Sequence, residues 1–223
     1  IEVVTDADPY DRLTSIHNGT LLYNHTNPRL THASIQNGSA AEEAGRAILF
    51  RDVYRKPIVF DEIKYEGNIP LRWGNLSGEE MTHRFWECII AGTYPGHGEC
   101  YLHPNDILWW AKGGKLHGSS PARIAFLADI LNDGPDYIET IDKWQVPNVG
   151  GKPGEYYLVY FGKESPGEWK FQLPRRKHSA PSELAGGMKF HVDVINTWDM
   201  TINPIDEPFT VREPQDGEYT VYD

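Results

Sequence analysis

Cysteine is scarce: only Cys88 and Cys100 occur in 223 residues. Two are too few for a disulfide framework. Both sit among apolar neighbours, Trp86-Glu87-Cys88-Ile89-Ile90 and Glu99-Cys100-Tyr101-Leu102, and read as small core residues. Long apolar runs are missing as well. None approaches the roughly 20 residues that span a bilayer, and the start lacks the basic and apolar regions of a signal peptide. Positive charge is in deficit, with 21 Lys and Arg against 32 Asp and Glu and a net charge of -11. That balance speaks against nucleic acid and anionic membrane as partners. No two histidines stand four residues apart, the spacing that places two metal ligands on one helix face. An initiating Met is also absent. The opening Ile1-Glu2-Val3-Val4 reads as an excised piece or a processed product, which leaves the compartment open.

What the chain has in excess is aromatic: seven Trp and twelve Tyr. Several lie in loops beside carboxylates. Sugar rings have apolar faces that stack on aromatic planes, so this composition suits carbohydrate as well as core filling. Length allows one large domain or two small ones.

The most informative stretch is Lys56-Pro57-Ile58-Val59-Phe60-Asp61-Glu62-Ile63-Lys64-Tyr65-Glu66-Gly67-Asn68. Pro57 fits the start of a strand. Ile58 to Phe60 form a short run of the kind buried on both faces of a parallel sheet. The run ends in two carboxylates, and burying an ionised carboxylate costs several kcal/mol, on the order of what a good partner returns. Such an acid is either strongly partnered or functional. Neighbouring strand residues point to opposite faces. Glu62 is therefore expected at the mouth of the sheet with Phe60 behind it, and Asp61 towards the helix layer.

Around this strand the chain alternates. Residues 1–11 read as a polar lead-in. Strands are expected over Arg12–His17 and Leu30–Gln36, then a helix over Ala40–Tyr54 with Ala41, Ala44, Ala47, Ile48 and Val53 on its apolar stripe. Strand, helix and strand of this size make a right-handed βαβ crossover. After a loop from Ile63 to Leu76, Ser77-Gly78-Glu79-Glu80 is a capping box. The helix it opens runs through Met81, Phe85, Trp86, Ile89 and Ile90. Thr93 to Tyr101 is the next strand and its exit. Asn105 to Gly118 is a long loop with Trp109, Trp110 and Lys112. Ser120-Pro121 reads as an N-cap with Pro at the first helical position, opening a helix from Ala122 to Leu131.

Helical periodicity stops near Asn132-Asp133-Gly134-Pro135. Beyond it, Tyr156–Phe161, Trp169–Leu173, Phe190–Asn203 and Phe209–Arg212 read as antiparallel strands separated by turns. A boundary is placed at 134. The expected fold is α/β: residues 1–134 form the last four strands of a (β/α)8 TIM-barrel type domain, and 135–223 a β-sandwich-like domain. Four strand ends carry polar residues, His17-Asn18, Gln36, Asp61-Glu62 and His97-Gly98-Glu99. That is the layout of the active-site face of such a barrel.

Ser15-Ile16-His17-Asn18, Thr31-His32-Ala33-Ser34-Ile35-Gln36, Lys56-Pro57-Ile58-Val59-Phe60-Asp61-Glu62 and Ala91-Gly92-Thr93-Tyr94-Pro95-Gly96-His97-Gly98-Glu99 together resemble the C-terminal half of a clan A glycoside hydrolase barrel. Family 5 and the apiosidase-like group, with their appended β-domain, are the relatives meant. The resemblance covers about residues 8–134, and the β-domain more loosely. It implies hydrolysis of O-glycosyl bonds with retention, no cofactor and no metal. It makes Glu62, at the end of the seventh strand, the nucleophile. It places the acid/base at the end of the fourth strand, which would lie before Ile1. The missing half of the barrel, or a second copy of the chain, is then the expected partner, because half a barrel has unpaired strand edges. The substrate would be an oligosaccharide or other glycoside. His17, Asn18, His32, Gln36, Tyr65, Glu66, Arg72, Trp73, His97, Glu99, Trp109 and Trp110 are the expected substrate-binding residues.

Two other classes fit parts of the pattern. His17, His32 and His97 with Asp61 or Glu62 have the chemistry to ligate Zn²⁺, which describes a metal-dependent barrel hydrolase. A carbohydrate-binding piece with an incomplete catalytic pair is the non-enzymatic alternative.

Overall fold

The computed structural model describes residues 1–18, 21–36, 47–102, 115–142, 148–169 and 184–213. Helix α1 (Glu2–Ala7) opens the chain where a polar lead-in was expected. Strand β2 (Ile58–Glu62) is central, with Ile58 and Phe60 fully buried and Val59 half-buried. Strand β1 (Ala33–Gln36) lies parallel on one side and β4 (Tyr94–Pro95) parallel on the other, in the order β1-β2-β4. Parallel strands need a crossover between them. Helix α2 (Ala47–Tyr54) makes the first and α3 (Gly78–Ile90) the second.

The strand expected over Arg12–His17 is a correction: its one ladder contact is a parallel bridge from His17 to Ser34. The side chain of Asp8 takes the backbone N–H groups of Tyr10 and Arg12, and Asp11 sits at φ 50°. Beyond this local turn, Thr14 and Thr31 join by the Thr31 N–H donating to the Thr14 carbonyl. The expected helix from Ala40 is described only from Ala47. Its phase differs from the expected stripe. Ala47 is buried, Ile48, Phe50 and Tyr54 pack on the core, and Val53 is exposed.

Ser77 caps α3 as expected, its Oγ accepting the Glu80 N–H at 3.2 Å. The reciprocal half of the capping box is replaced. The Glu80 carboxylate turns outward to Arg84, at 2.9 Å, and to Lys163. Met81, Phe85 and Cys88, spaced for one helix face, are buried.

Helix α4 (Ser120–Asn132) packs beside α3. Strands β3 (Glu66–Gly67) and β5 (Glu99–Cys100) form a short parallel pair between β2 and α4 in the chain. After α4 the pairing turns antiparallel. Strands β6 (Glu139–Asp142), β7 (Asn148–Lys152) and β8 (Tyr156–Tyr160) make a three-stranded sheet. Strand β9 (Lys189–Phe190) pairs with β12 (Phe209–Thr210). Strands β10 (Asp193–Asn196) and β11 (Thr201–Pro204) form a hairpin. The fold is therefore mixed α/β, with two small parallel and three small antiparallel sheets among the described residues.

The single strand expected over Phe190–Asn203 is corrected to that hairpin. Asn196 Oδ1 accepts the N–H groups of Trp198 and Asp199, at 3.0 and 2.9 Å, and Met200 takes φ 56°. A side-chain oxygen that organises its own turn overrides a β-rich pattern. The strand expected over Trp169–Leu173 lies, beyond Trp169, outside the described residues.

The core does not stop at residue 134. Leu158 and Tyr160 of β8 belong to one buried cluster with Ile58, Phe60, Met81 and Trp86. The Trp86 and Tyr160 rings stack at 5.7 Å between centroids and 20° between planes. Gly150 of β7 lies so close to the end of α3 that a Cβ there would stand 2.5 Å from the Ile90 carbonyl oxygen. A second, smaller cluster joins Leu184 and Val211 with Tyr157, Met188, Phe190 and Phe209.

Both cysteines are in the core, each with 0% exposure. Burial pushes the Cys88 thiol up to about 12 and that of Cys100 to about 11. A thiol reagent at neutral pH is expected to modify neither in the folded chain and both after denaturation. Rapid labelling of one cysteine before unfolding would contradict this packing. Among the described residues no helix is long and apolar enough to cross a membrane.

Candidate active site

The C-terminal ends of β1 and β2 bring one polar cluster together. Gln36 and Glu62 are register partners, and Gln36 donates its Nε2–H to Glu62 Oε2 at 2.7 Å. His17, held beside β1 by its bridge to Ser34, approaches from the other side. Its Nε2 is 3.6 Å from Glu62 Oε1, and its Nδ1 is 2.6 Å from Asp61 Oδ2. Ser34 Oγ also donates to Asp61 Oδ2. Tyr65 completes the group. Burial first, then its hydrogen bond to Glu62, raises the phenol far above its usual range. The Glu62 side chain keeps 30% of its surface open to solvent. It is thus anchored on several sides and still accessible.

Asp61 is a correction. It was expected towards the helix layer, but it shares His17 with Glu62. The cause is a register shift: Ser34 faces Val59 while Gln36 faces Glu62, so β2 carries one residue more than β1. A bulge of this kind re-aims side chains and breaks the alternation of the strand.

Asn18 is fully buried, and its Oδ1 accepts the Gln36 N–H at 2.9 Å. It fixes the end of β1 from inside. His32 stands before Ala33, at the start of β1, with Thr31 Oγ1 3.1 Å from its Nδ1. The expectation that it faces substrate beside Glu62 is corrected, because four residue steps, roughly 13 Å of rise, separate it from Gln36 at the other end of β1. Trp73 is 37% exposed, with its ring edge-on to Tyr65 at 5.9 Å. Arg72 is exposed on the same loop. Trp109 and Trp110 lie outside the described residues.

Glu66, His97 and Glu99 form a second cluster. Glu66 and Glu99 are register partners on β3 and β5. Glu99 accepts the N–H groups of His117 and Gly118 at 2.7 and 3.0 Å. Glu66, 1% exposed, accepts those of Ser119 and Ser120 at 2.7 and 3.1 Å, both serine hydroxyls, and the Tyr101 hydroxyl. Four successive backbone donors at the start of α4 thus end on two carboxylates, where the helix dipole favours negative charge. Gly118 allows this: a Cβ there would be 2.3 Å from Glu66 Oε2. The N-cap expected at Ser120 is corrected. The cap residue is Ser119, and the capping acceptor is Glu66, 53 residues away in sequence.

His97 sits at the edge of this cluster, its Nε2 3.2 Å from Ser120 Oγ and 3.9 Å from Glu99 Oε1. Burial lowers its pKa, so the neutral ring is the favoured form. The ligand atoms of Glu66, His97 and Glu99 come within 4.8 Å of one another. Their oxygens are already committed to the four N–H groups, which is the chemistry of a helix anchor. The zinc set raised by the sequence is not assembled: His17, His32 and His97 belong to three different environments. The residues that sequence reasoning missed are Asp61, in its role beside His17, and Ser34. A serine in a short apolar strand carries no signal of its own.

The relatives bear on what this arrangement does. A crystal structure at 1.80 Å of a "putative glycoside hydrolase" from Bacteroides vulgatus ATCC 8482 matches 94% of this chain at 36% sequence identity, with a TM-score of 0.84. The chain spans 41% of the length of that protein. A family model described as "Domain of unknown function (DUF5605)" matches residues 144–221. No curated protein matches the chain.

Proposed function

We propose that this chain carries the nucleophile of a retaining glycoside hydrolase, within the C-terminal half of a (β/α)8 barrel. The segment ending at His17, β1, β2 and β4 would be its last four strands. Residues 135–223 would be a β-domain that braces it. The observation that carries the reading is Glu62, half-buried but open to solvent at the C-terminal end of the central parallel strand. Its two oxygens are approached by Gln36 and His17. Barrel enzymes place reacting groups at that end. Relatedness to a protein described as a glycoside hydrolase gives the reaction class its support.

In this mechanism the Glu62 carboxylate attacks the anomeric carbon, and a second carboxyl group protonates the leaving oxygen from about 5–5.5 Å away. Among the described residues Glu66 and Glu99 are engaged at α4, and Asp61 is held by Ser34 and His17. In line with the resemblance to clan A barrels, we assign the acid/base to another part of a longer polypeptide, or to a second copy of the chain. Trp73, Tyr65 and Arg72 would meet the sugar. The substrate is a glycoside or oligosaccharide.

The covalent intermediate gives the test. A 2-deoxy-2-fluoro glycoside with a good leaving group is expected to inactivate the longer protein and to leave one glycosyl adduct on the peptide that contains Glu62. An adduct on a different carboxylate would move the nucleophile elsewhere. Hydrolysis with inversion of configuration would remove the retaining mechanism.

A further inference from the structure

We infer that Asp61 and His17 form a positioning pair that fixes Oε1 of the Glu62 carboxylate, opposite the grip of Gln36 on Oε2. The inference rests on Glu62 being the nucleophile, and it adds two residues with an assigned order. Ser34 fixes Asp61, Asp61 fixes His17, and His17 fixes Glu62.

The backbone makes the arrangement specific. In a regular strand Asp61 and Glu62 would diverge. The extra residue in β2 between the pairs Ser34–Val59 and Gln36–Glu62 turns both carboxylates towards one imidazole. The ring then has a defined orientation. With Nδ1–H donated to Asp61 at 2.6 Å, Nε2 faces Glu62 Oε1 at 3.6 Å. A singly protonated ring would aim a lone pair at a carboxylate there. Only the imidazolium presents N–H to both acids. At 3.6 Å the second contact is an ion pair rather than a full hydrogen bond. It leaves Glu62 free to advance on an anomeric carbon while its charge stays compensated.

The surrounding charges agree. The hydrogen bond to Asp61 raises the His17 pKa most; partial burial opposes it, and the charges of Asp61 and Glu62 add to the rise. Tyr65 donates to Glu62, and the Cys100 thiol is raised partly by Glu62. His25, which also feels Asp61, is held neutral by its burial and by Lys56. No second cation among these groups competes with His17 for the two acids. Without Asp61, nothing in this set would hold the ring in its tautomer and orientation. An acid behind a histidine has that role wherever the ring must keep one face towards a reacting group.

Two measurements test the pair. In this chain, histidine-labelled NMR is expected to show His17 titrating above its ordinary value of about 6.5. That value should fall in Asp61→Asn and, by a smaller step, in Glu62→Gln. Titration at the ordinary value in the wild type, or no response to Glu62→Gln, would overturn the inference whatever the activity. In the longer protein, His17→Gln is expected to lower kcat roughly tenfold with KM nearly unchanged, because the Glu62 carboxylate loses the group that positions it. A raised KM with kcat unchanged would make His17 a sugar contact instead. If Glu62→Gln spares hydrolysis, the nucleophile assignment fails, and this inference fails with it even where the NMR coupling is seen. Unchanged circular dichroism of each variant separates these results from misfolding.

Discussion

Replacing Glu62 with Gln is expected to reduce aryl glycoside hydrolysis by the longer protein about 10³-fold or more, with the loss in kcat. Removing the nucleophile of a covalent mechanism has effects of that order or larger. In barrier terms this is about 4 kcal/mol. Gln is the right replacement because it keeps the shape and one acceptor oxygen, to which Gln36 can still donate. The fold should therefore survive, and the change should read as chemistry. A panel of aryl glycosides measured with wild type and variant decides it. Activity within a few-fold of wild type would remove Glu62 from the mechanism. This chain measured alone tells whether the acid/base comes from elsewhere: activity in the longer protein only would place it there. Activity in both would mean that the chain contributes its own second acid.

Glu66→Ala is expected to destabilise the chain by about 3–5 kcal/mol, the cost typical of removing one member of a buried charged hydrogen-bonded group. The carboxylate is 1% exposed and accepts from two backbone N–H groups, two serine hydroxyls and Tyr101. Alanine would leave those donors without their acceptor, those of the buried Ser120 among them, and release the start of α4. Urea unfolding followed by tryptophan fluorescence measures it, and a loss below about 1 kcal/mol would show that the donors find other partners. The pH dependence has a definite sign. Burial alone would raise the Glu66 pKa, but the hydrogen bonds from Ser120, Ser119 and Tyr101 outweigh it, so the folded value lies below the ordinary one. The stabilisation is then complete above the unfolded value of about 4.3 and is lost as pH falls through the lowered folded value. Glu66→Gln should flatten this part of the acid unfolding curve.

The two acids of the Tyr65-Glu66-Gly67 and Gly98-Glu99-Cys100 segments show how far sequence reasoning reaches. Both were expected to face substrate, since an acid at a strand end in an aromatic loop fits sugar binding. Their partners are backbone N–H groups from residues 117–120. No local pattern encodes an acceptor that arrives from 18 or more residues away. Gly118 carried the one available hint: it stands where any side chain would collide with Glu66. A glycine before Ser-Ser-Pro reads as an ordinary loop residue until that neighbour is known.

Local chemistry determined much else. Pro57 and the apolar triplet Ile58–Phe60 specify a buried strand. Ser77 specifies the start of α3, and periodicity gives the buried face of that helix. Placing Glu62 at the end of β2 needed only the length of the run. The parallel neighbours of β2 followed from helix-sized spacers between strand-like segments. Tertiary structure alone decided the rest. The bulge that turns Asp61 towards His17 depends on the register of two strands more than 20 residues apart, and register is set by packing across the sheet. The continuity of the core from Phe60 through Trp86 to Tyr160 depends on how β8 lies on α3, although the composition changes sharply at 134. Strand and helix propensities act over a few residues. Which carboxylate stays open to solvent and which holds a helix is decided by donors that only the folded chain brings into hydrogen-bond reach.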